Sequence, residues 1–277
     1  MIAAPWLPLL RRAAQSYVAG PELPDALRLA RKFAASGVSA TTLCFWDAQD
    51  DIPRHVADMY LAAVQAIQAA RLDSYVSIKA PSLAFSHGLV AEIAEAAGAA
   101  GIRVHFDSLG VDAADRTFEL IAQARTHGAQ AGCTIPGRWR RSPADAEKAG
   151  QMGLRVRVVK GQWPDPAANI DAHAGFLNAI GALAGGETPV AVATHHPGLA
   201  AAAIRKLQAA GTPCELELLY GLPSRAVLKV ARELGVAVRY YLPYGHAWLP
   251  YALRQARRDP RILWWLLRDA SRNSSAA

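Results

Sequence analysis

Several charged side chains stand at the ends of short apolar runs, where folding can bring them together for chemistry. Lys79 ends VSIK, Asp107 follows VHF, and Arg157 and Lys160 belong to VRVVKG. An ammonium or guanidinium group in an apolar setting is costly unless it has a partner or a ligand. These residues predict a site for an anionic small molecule or cofactor, with Lys79 as the first functional candidate. The structural alternative for Asp107 is an internal salt bridge with a lysine.

Two other uses of the same residues stay open at this point. Lys79 or Lys160 has the amine needed for Schiff-base chemistry in a lyase or aldolase. His105, Asp107 and His195 have the side chains of a metal hydrolase, but no HxH or HExxH spacing supports one, and we expect no metal. Within Thr194-His195-His196, adjacent side chains of a strand point to opposite faces, so at most one of the histidines faces a site.

A polar stripe lies near the carboxyl terminus. Tyr251, Arg254, Gln255 and Arg258 recur at i, i+3, i+4 and i+7, which places them on one face of a helix. The arginine fork binds a carboxylate through two hydrogen bonds. The stripe therefore predicts a carboxylate site, with a solvated helix face as the alternative.

The elements that must position these residues alternate regularly. Eight short runs rich in β-branched and apolar residues predict strands at 38–45, 74–80, 102–108, 130–136, 154–160, 189–195, 214–220 and 236–242. Helical spacing predicts helices at 22–36, 53–72, 88–100, 112–128, 142–152, 169–185, 198–210 and 223–234. Asp112 and Ser142 are the predicted N-caps of two of these helices, and glycines at 101, 153, 211 and 235 mark helix ends.

Eight strand–helix units predict a (βα)8 barrel of the TIM type, with the site at the carboxyl ends of its strands. A doubly wound open sheet is the alternative, but its GxGxxG fingerprint is absent. We expect one domain over residues 1–270 and a disordered tail at 271–277. A further helical segment, 246–257, follows strand eight. Ile262 to Leu267 is apolar all round, and we interpret it as a helix packed on the barrel or in a dimer interface.

Composition excludes several classes of protein. The chain has 277 residues, of which 52% are apolar and 19% charged, and its net charge is +7. These values indicate a globular protein, without a run of ~18 apolar residues that could cross a membrane. We expect the apolar amino terminus to be a packing segment and not a signal peptide. No nucleic-acid-binding motif is present. The three cysteines are far apart and predict free thiols in a reducing compartment.

The sequence resembles the proline dehydrogenases. The matching segments, in chain order, are VSIKAPSL (76–83), HFDS (105–108), VRVVKGQW (156–163), ATHHP (193–197), ELELLYGL (215–222) and VRYYLPYGHAWLPYALRQ (238–255). The family pattern has R-x-V-K-G-A-Y on strand five, A-T-H on strand six and Y-x-x-R-R-x-x-E after strand eight. The resemblance runs from about residue 17 to residue 258 and is strongest as an ordered set of motifs.

The resemblance implies a distorted (βα)8 barrel with noncovalent FAD and an extra helix over the barrel mouth. It implies oxidation of proline or a proline-like cyclic amine by hydride transfer to flavin N5, with a quinone or similar acceptor. The implied catalytic residues are Lys79, Asp107 and Arg157. The implied flavin residues are Asp107, Thr134, Arg157, Lys160, Gly161, Gln162, Thr194 and His195. The implied substrate residues are Lys79, Trp163, Leu219, Tyr241, Tyr251, Arg254, Gln255 and Arg258.

Five positions depart from the family pattern. Gln255 and Arg258 replace the second arginine and the glutamate of the lid motif, Gln162-Trp163 replaces Ala-Tyr, and Pro136 stands where a flavin-contacting glutamine is expected. Arg258 lies one helical turn beyond the lost arginine, and we expect it to take over that role. These changes indicate a relative whose substrate is a substituted proline, another cyclic imino acid or a related amine. A binding protein without catalysis is the remaining alternative.

We expect a cytoplasmic enzyme. Trp264 and Trp265 leave peripheral contact with a membrane surface as an alternative use of the carboxyl-terminal segment. A homo-oligomer is compatible with the same apolar segment.

Overall fold

The computed structural model describes residues 18–37, 40–48 and 50–245. Its strands are β1 Ala40–Phe45, β2 Ser74–Ile78, β3 Val104–Phe106, β4 Ala131–Pro136, β5 Arg155–Val159, β6 Val190–Ala193, β7 Cys214–Leu219 and β8 Val238–Tyr244. The α-helices are α1 Leu23–Ala35, α2 Pro53–Ala70, α3 His87–Ala100, α4 Ala114–Thr126, α5 Ser142–Gln151, α6 Ala172–Leu183, α7 Pro197–Ala209 and α8 Arg225–Glu233. Short 3-10 turns at Pro81–Leu83 and Val111–Ala113 precede α3 and α4.

The strands pair in chain order, all in parallel, and β8 returns to β1 to close the barrel. The closing register runs from Ala40 opposite Arg239 to Phe45 opposite Tyr244. Parallel strands covered by helices are buried on both faces, which is why β1 and β2 have no exposed position. This confirms the predicted (βα)8 barrel.

The helices pack on the barrel through apolar faces of different widths. In α8 only Val227 and Ala231 are buried, one turn apart, and the remaining positions are partly or fully exposed. A larger face buries Val56, Tyr60, Ala63 and Ile67 of α2. This packing of helices on the barrel holds in place the strand ends, which carry the polar residues.

The predicted order of strands and helices is confirmed, with boundaries that differ by a few residues. The two N-cap predictions are wrong. Asp112 lies inside the 3-10 turn that precedes α4, whose N-cap is Ala113. Ser142 is the first residue of α5, and its hydroxyl donates to the Pro136 carbonyl rather than capping the helix. Gly101 does adopt the left-handed conformation, with φ 67°, at the end of α3.

The cysteines are free, and two of them, Cys44 and Cys133, are buried. Within the described ranges, no helix has the length and apolar character needed to cross a bilayer. The predicted helical segment 246–257, the apolar segment 262–267 and the tail 271–277 lie outside the described residues.

Candidate active site

The guanidinium of Arg157, on β5, lies in the barrel interior between two carboxylates. Its Nη2 is 2.8 Å from Glu217 Oε1, and its Nη1 is 2.7 Å from Asp107 Oδ1. Burial opposes the positive charge, but the nearby Glu217 and Tyr75 outweigh this and raise the pKa of Arg157 well above its ordinary value. Arg157 is therefore a fixed cation, held in one orientation from two sides.

Asp107 gathers hydrogen bonds from four side chains at the carboxyl end of β3. One oxygen accepts from Arg157 and, at 3.4 Å, from the Thr134 hydroxyl. The other accepts from the Tyr241 hydroxyl at 2.8 Å and from the Cys44 thiol at 3.6 Å. Burial, followed by the charge of Asp107, raises the pKa of Tyr241 well above 10, so its hydroxyl stays a donor. Asp107 thus fixes the Tyr241 ring, which lies 4.9 Å from the Arg157 guanidinium.

Glu217 is a buried carboxylate that our sequence analysis did not select. Its side chain is 1% exposed and accepts from Thr42 at 2.9 Å and from Tyr75 at 3.0 Å, in addition to the pair with Arg157. Burial alone raises a carboxyl pKa, but Arg157 and Arg155 outweigh it and lower the pKa of Glu217. Glu217 is therefore ionised, and it supports Arg157 from the side opposite Asp107.

Lys79 is paired with Asp47, a second residue that our sequence analysis missed. The Lys79 ammonium is 2.8 Å from Asp47 Oδ1 and donates to the Phe45 carbonyl at 2.7 Å. Burial opposes its charge, but Cys44 and Asp47 outweigh this, and the pKa of Lys79 rises above 10.5. The suggestion that Asp107 pairs with a lysine is wrong, since its cationic partner is Arg157. A charged, ion-paired Lys79 is also poorly suited to Schiff-base chemistry, which needs a neutral amine.

The barrel mouth beside β4 and β5 is lined by cationic side chains, and there the loop after β5 passes close to the end of β4. Gly161 has φ 90°, and a Cβ at this position would lie 2.7 Å from the Pro136 Cβ. Arg138 is beside it, and its Nε is buried with no hydrogen-bond partner among the described residues. Lys160 follows β5 at the same edge and is partly exposed. This part of the rim therefore presents positive charge beside a loop that only a glycine fits.

His195 is fully engaged by the protein itself. Its Nδ1 is 3.1 Å from the Pro223 carbonyl, and its Nε2 is 3.1 Å from the Leu219 backbone N–H. The carbonyl needs a proton on Nδ1, and the N–H needs a bare Nε2, so the ring is the neutral Nδ1–H tautomer. Burial lowers the pKa of His195, in agreement with this assignment. Beside it, the buried Thr194 accepts from the His196 backbone at 3.2 Å.

His105 is deeply buried on β3. Its Nε2 lies 3.0 Å from the Thr134 hydroxyl, and burial, together with Arg157 and Arg155, lowers its pKa well below 6.5. Among the residues that the structure describes, no group of three His, Cys, Asp or Glu side chains is placed to hold a metal ion. The His105, Asp107 and His195 set is therefore not assembled into a metal site.

The other sequence-predicted residues fall at the same end of the barrel or outside the described ranges. Leu219 and Tyr241 are register partners on β7 and β8. Gln162 and Trp163 follow Gly161, and the Trp163 carbonyl accepts from the Trp139 indole at 3.0 Å. The lid residues lie outside the described residues; they are Tyr251, Arg254, Gln255 and Arg258. The substrate and cofactor roles of all these residues stay predictions.

Comparison with known proteins identifies similar sequences. The chain is 27% identical over 270 residues to proline dehydrogenase 1 of Bacillus subtilis strain 168, covering 90% of this chain and 88% of that relative. It is 22% identical over 268 residues to proline dehydrogenase 2 of the same strain, with 90% and 88% covered. No family model matches the sequence.

Solved structures agree in fold. Proline utilization A from Bdellovibrio bacteriovorus, inactivated by N-propargylglycine, superposes with a TM-score of 0.77 at 16% identity, over 88% of this chain and 32% of that chain. The protein from Corynebacterium freiburgense gives 0.70 at 18% identity, over 94% and 32%. This chain therefore spans about a third of these longer proteins. Together with the ordered motifs, the sequence relatives support a divergent member of the proline dehydrogenase family, and the solved structures show the same fold.

Proposed function

We propose that this protein is an FAD-dependent oxidoreductase that oxidises proline, or a proline-like cyclic secondary amine, at the carbon next to nitrogen. The product is a cyclic imine. The observation that carries the proposal is the fixed Arg157–Asp107–Tyr241 cluster at the carboxyl ends of the strands. The three residues belong to the segments that resemble the proline dehydrogenases, and sequence relatives of this chain carry that name.

The residues at the barrel mouth fit a flavin nucleotide. Arg138 and Lys160 offer positive charge, and the buried Nε atoms of Arg138 and Arg157 have no hydrogen-bond partner among the described residues. Such a donor set suits a ligand that carries phosphates and becomes negatively charged on reduction. Pro136 is the exception, because it offers neither a backbone N–H nor a side-chain donor. We assign Thr134, Gly161, Gln162, Thr194 and the ring of His195 to the wall of the same site.

When bound, FAD supplies the two-electron oxidant by accepting a hydride from the substrate carbon. The substrate nitrogen must be neutral, because its lone pair stabilises the cation left after hydride loss. Lys79 favours that neutral form, since its fixed positive charge disfavours a second positive charge close by. In this scheme Lys79 acts through its charge, and no protein nucleophile takes part.

Leu219 and Tyr241 form the proposed contact surface for the carbons of the substrate ring. They lie side by side on β7 and β8, and the hydrogen bond from the Tyr241 hydroxyl to Asp107 restricts the motion of the ring. A rigid wall orients the reacting C–H bond, and such positioning contributes a large share of enzymatic rate enhancement. Trp163, larger than the tyrosine of the family pattern, is the proposed determinant of ring substituents.

The substrate carboxylate is assigned to Tyr251, Arg254 and Arg258, with Gln255 beside them. A quinone or similar acceptor completes the proposed cycle. Cytoplasmic location, contact with a membrane surface and assembly with a second copy stay predictions, as does the single domain over residues 1–270.

The first experiment is an absorption spectrum of the purified protein, followed by anaerobic addition of L-proline. We expect flavin bands near ~450 nm that bleach with L-proline or with a substituted cyclic imino acid. Pipecolate and hydroxyproline define the accepted ring, and L-valine is the open-chain control. A protein that takes up no FAD on reconstitution contradicts the cofactor assignment. Bound flavin that no cyclic secondary amine reduces contradicts the reaction.

Arg157→Lys and Tyr241→Phe separate charge from positioning. The lysine keeps a cation but cannot contact Asp107 and Glu217 together, so we expect a loss of at least about tenfold in the rate of bleaching. The phenylalanine keeps the ring and removes the bond to Asp107, so we expect a smaller loss. A Tyr241→Phe variant slower than Arg157→Lys contradicts these roles.

A further inference from the structure

A cavity opens at the amino-terminal end of the barrel, opposite the proposed active site. Its volume is about 640 Å3, and its wall is formed by residues that precede or begin β3, β4, β5 and β6. Three arginines, Arg103, Arg125 and Arg155, line it, with the amide of Gln130. A cavity of this size accommodates a small metabolite.

Two of these arginines have unused donors. The Nε atoms of Arg103 and Arg155 are buried and have no hydrogen-bond partner among the described residues. Within the described ranges, the Arg103 side chain donates only to the neutral Gln130, at 3.2 Å. Unpaired buried guanidinium donors are unfavourable, and an oxyanion would satisfy them.

The carboxylates near this end are already committed to other partners. Glu215 pairs with Arg155 and, at 2.7 Å, with Arg239, while Asp73 lies 3.3 Å from Arg239. The charges of Arg155 and Arg239 are therefore balanced within this ion-pair network, which lies at the amino-terminal end of the barrel. It leaves Arg103 and Arg125 without a carboxylate within salt-bridge distance in the described part of the chain.

The positive charge of Arg103 is poorly balanced by nearby negative charge. Burial, followed by the positive charges of Arg155 and Arg239, lowers the pKa of Arg103 despite Glu215. Arg125 is exposed on the last turn of α4, at the entrance of the cavity. A bound anion would be attracted to both and would remove the repulsion between Arg103 and Arg155.

We propose that this cavity binds a small phosphorylated anion. Phosphate oxygens match the planar fork of arginine, and more than one negative charge is needed to balance Arg103 and Arg125. The site is separate from the proposed active site, so this proposal stands or falls independently of the proposed oxidation. Free inorganic phosphate and a phosphate monoester share this chemistry, and both serve as probes.

The test is isothermal titration of the full chain with inorganic phosphate and with glycerol phosphate, in chloride buffer. We expect one saturable site. The double variant Arg103→Gln/Arg125→Gln should weaken binding about tenfold or more, because two charge-assisted contacts are lost. Arg205→Gln, at an exposed arginine on α7, is the matched control and should bind like the parent. A tighter fit of the monoester identifies a metabolite as the ligand.

Three results overturn the proposal. The first is the absence of saturable binding up to about 10 mM probe. The second is unchanged binding in Arg103→Gln/Arg125→Gln. The third is a loss in Lys160→Gln with none in the double variant, because that places the anion at the opposite end of the barrel. Should the double variant fail to fold, Arg125→Gln alone, at an exposed position, must still weaken binding about threefold.

Discussion

Arg157 and Glu217 form a buried ion pair across the barrel, with 2.8 Å between Nη2 and Oε1, although β6 separates their strands. Both side chains are less than 5% exposed. Glu217 also lies 3.6 Å from Arg155, so one carboxylate serves two arginines. The orientation of Arg157 at the proposed site therefore depends on a residue that contacts neither proposed ligand.

Replacing Glu217 by Gln should destabilise the fold. The change leaves Arg155 and Arg157 with less compensation in a dry interior, and breaking a buried pair costs about 3–5 kcal/mol. Because Asp107 still pairs with Arg157, we expect the lower end of that range. Urea unfolding measures the change, with exposed Glu119→Gln as the matched control. A loss in Glu217→Gln no larger than in the control contradicts this account of the pair.

The buried His105 should make stability depend on pH below neutrality. Its pKa is lowered well below 6.5 in the folded state, so below that pH the unfolded chain takes up a proton that the folded chain does not. The free energy of unfolding then falls as pH decreases, by up to about 1.4 kcal/mol per pH unit for this group. His195 contributes in the same direction.

The measurement is the urea midpoint of the parent and of His105→Gln between pH 4.5 and 6.5. Glu217 titrates in the lower part of this range in both proteins, so the difference between their slopes reports His105. We expect a shallower pH dependence in His105→Gln. His87→Gln, at an exposed position, should keep the slope of the parent. Equal slopes in the parent and His105→Gln would show that His105 does not stay neutral in the fold.

The fold was predictable because each unit has its own local signals. The apolar runs, the helical spacing and glycines such as Gly101 and Gly153 mark where strands and helices begin and end, without reference to distant contacts. The N-cap predictions failed for a local reason as well. Asp112 and Ser142 had the right residue types, but a 3-10 turn and a bond to the Pro136 carbonyl determine where α4 and α5 begin.

The site was predictable only in part. Placing polar residues at strand ends selected Arg157, Asp107 and Lys79, but the same rule also applied to Asp47 after β1, and we did not use it there. Glu217 required a further step, since Glu215 and Glu217 alternate on β7 as Arg155 and Arg157 do on β5. The matching of these charges depends on the barrel register, which no single segment of sequence contains.

Asp47 should act as a positioning residue for Lys79. This prediction rests on the proposed oxidation. Asp47→Asn removes the carboxylate 2.8 Å from the Lys79 ammonium. Because that carboxylate counteracts the effect of burial on Lys79, the pKa of Lys79 should fall. We expect kcat/KM to decrease about tenfold, and the alkaline limb of its pH profile to move to lower pH.

A pH profile separates this role from a general loss of structure. Asp58→Asn, an exposed carboxylate on α2, is the matched control and should keep the profile of the parent. If Asp47→Asn lowers kcat/KM equally at every pH, the carboxylate does not act through the charge of Lys79.

Two glycines should respond in opposite directions to the same added methyl group. At Gly132, on β4, a Cβ would lie 2.6 Å from His105 Nδ1 and 2.9 Å from the Arg155 carbonyl. Such overpacking costs about 1–3 kcal/mol, so Gly132→Ala should be destabilised. At exposed Gly150, in α5, a Cβ meets nothing within 4 Å, and alanine should stabilise the helix by about 1 kcal/mol. Thermal unfolding of both variants measures the difference. A stabilised Gly132→Ala would mean that β3 and β4 lie further apart around His105 than this packing requires. The Arg157–Asp107 ion pair, which joins β5 to the end of β3 across β4, would then need a different geometry.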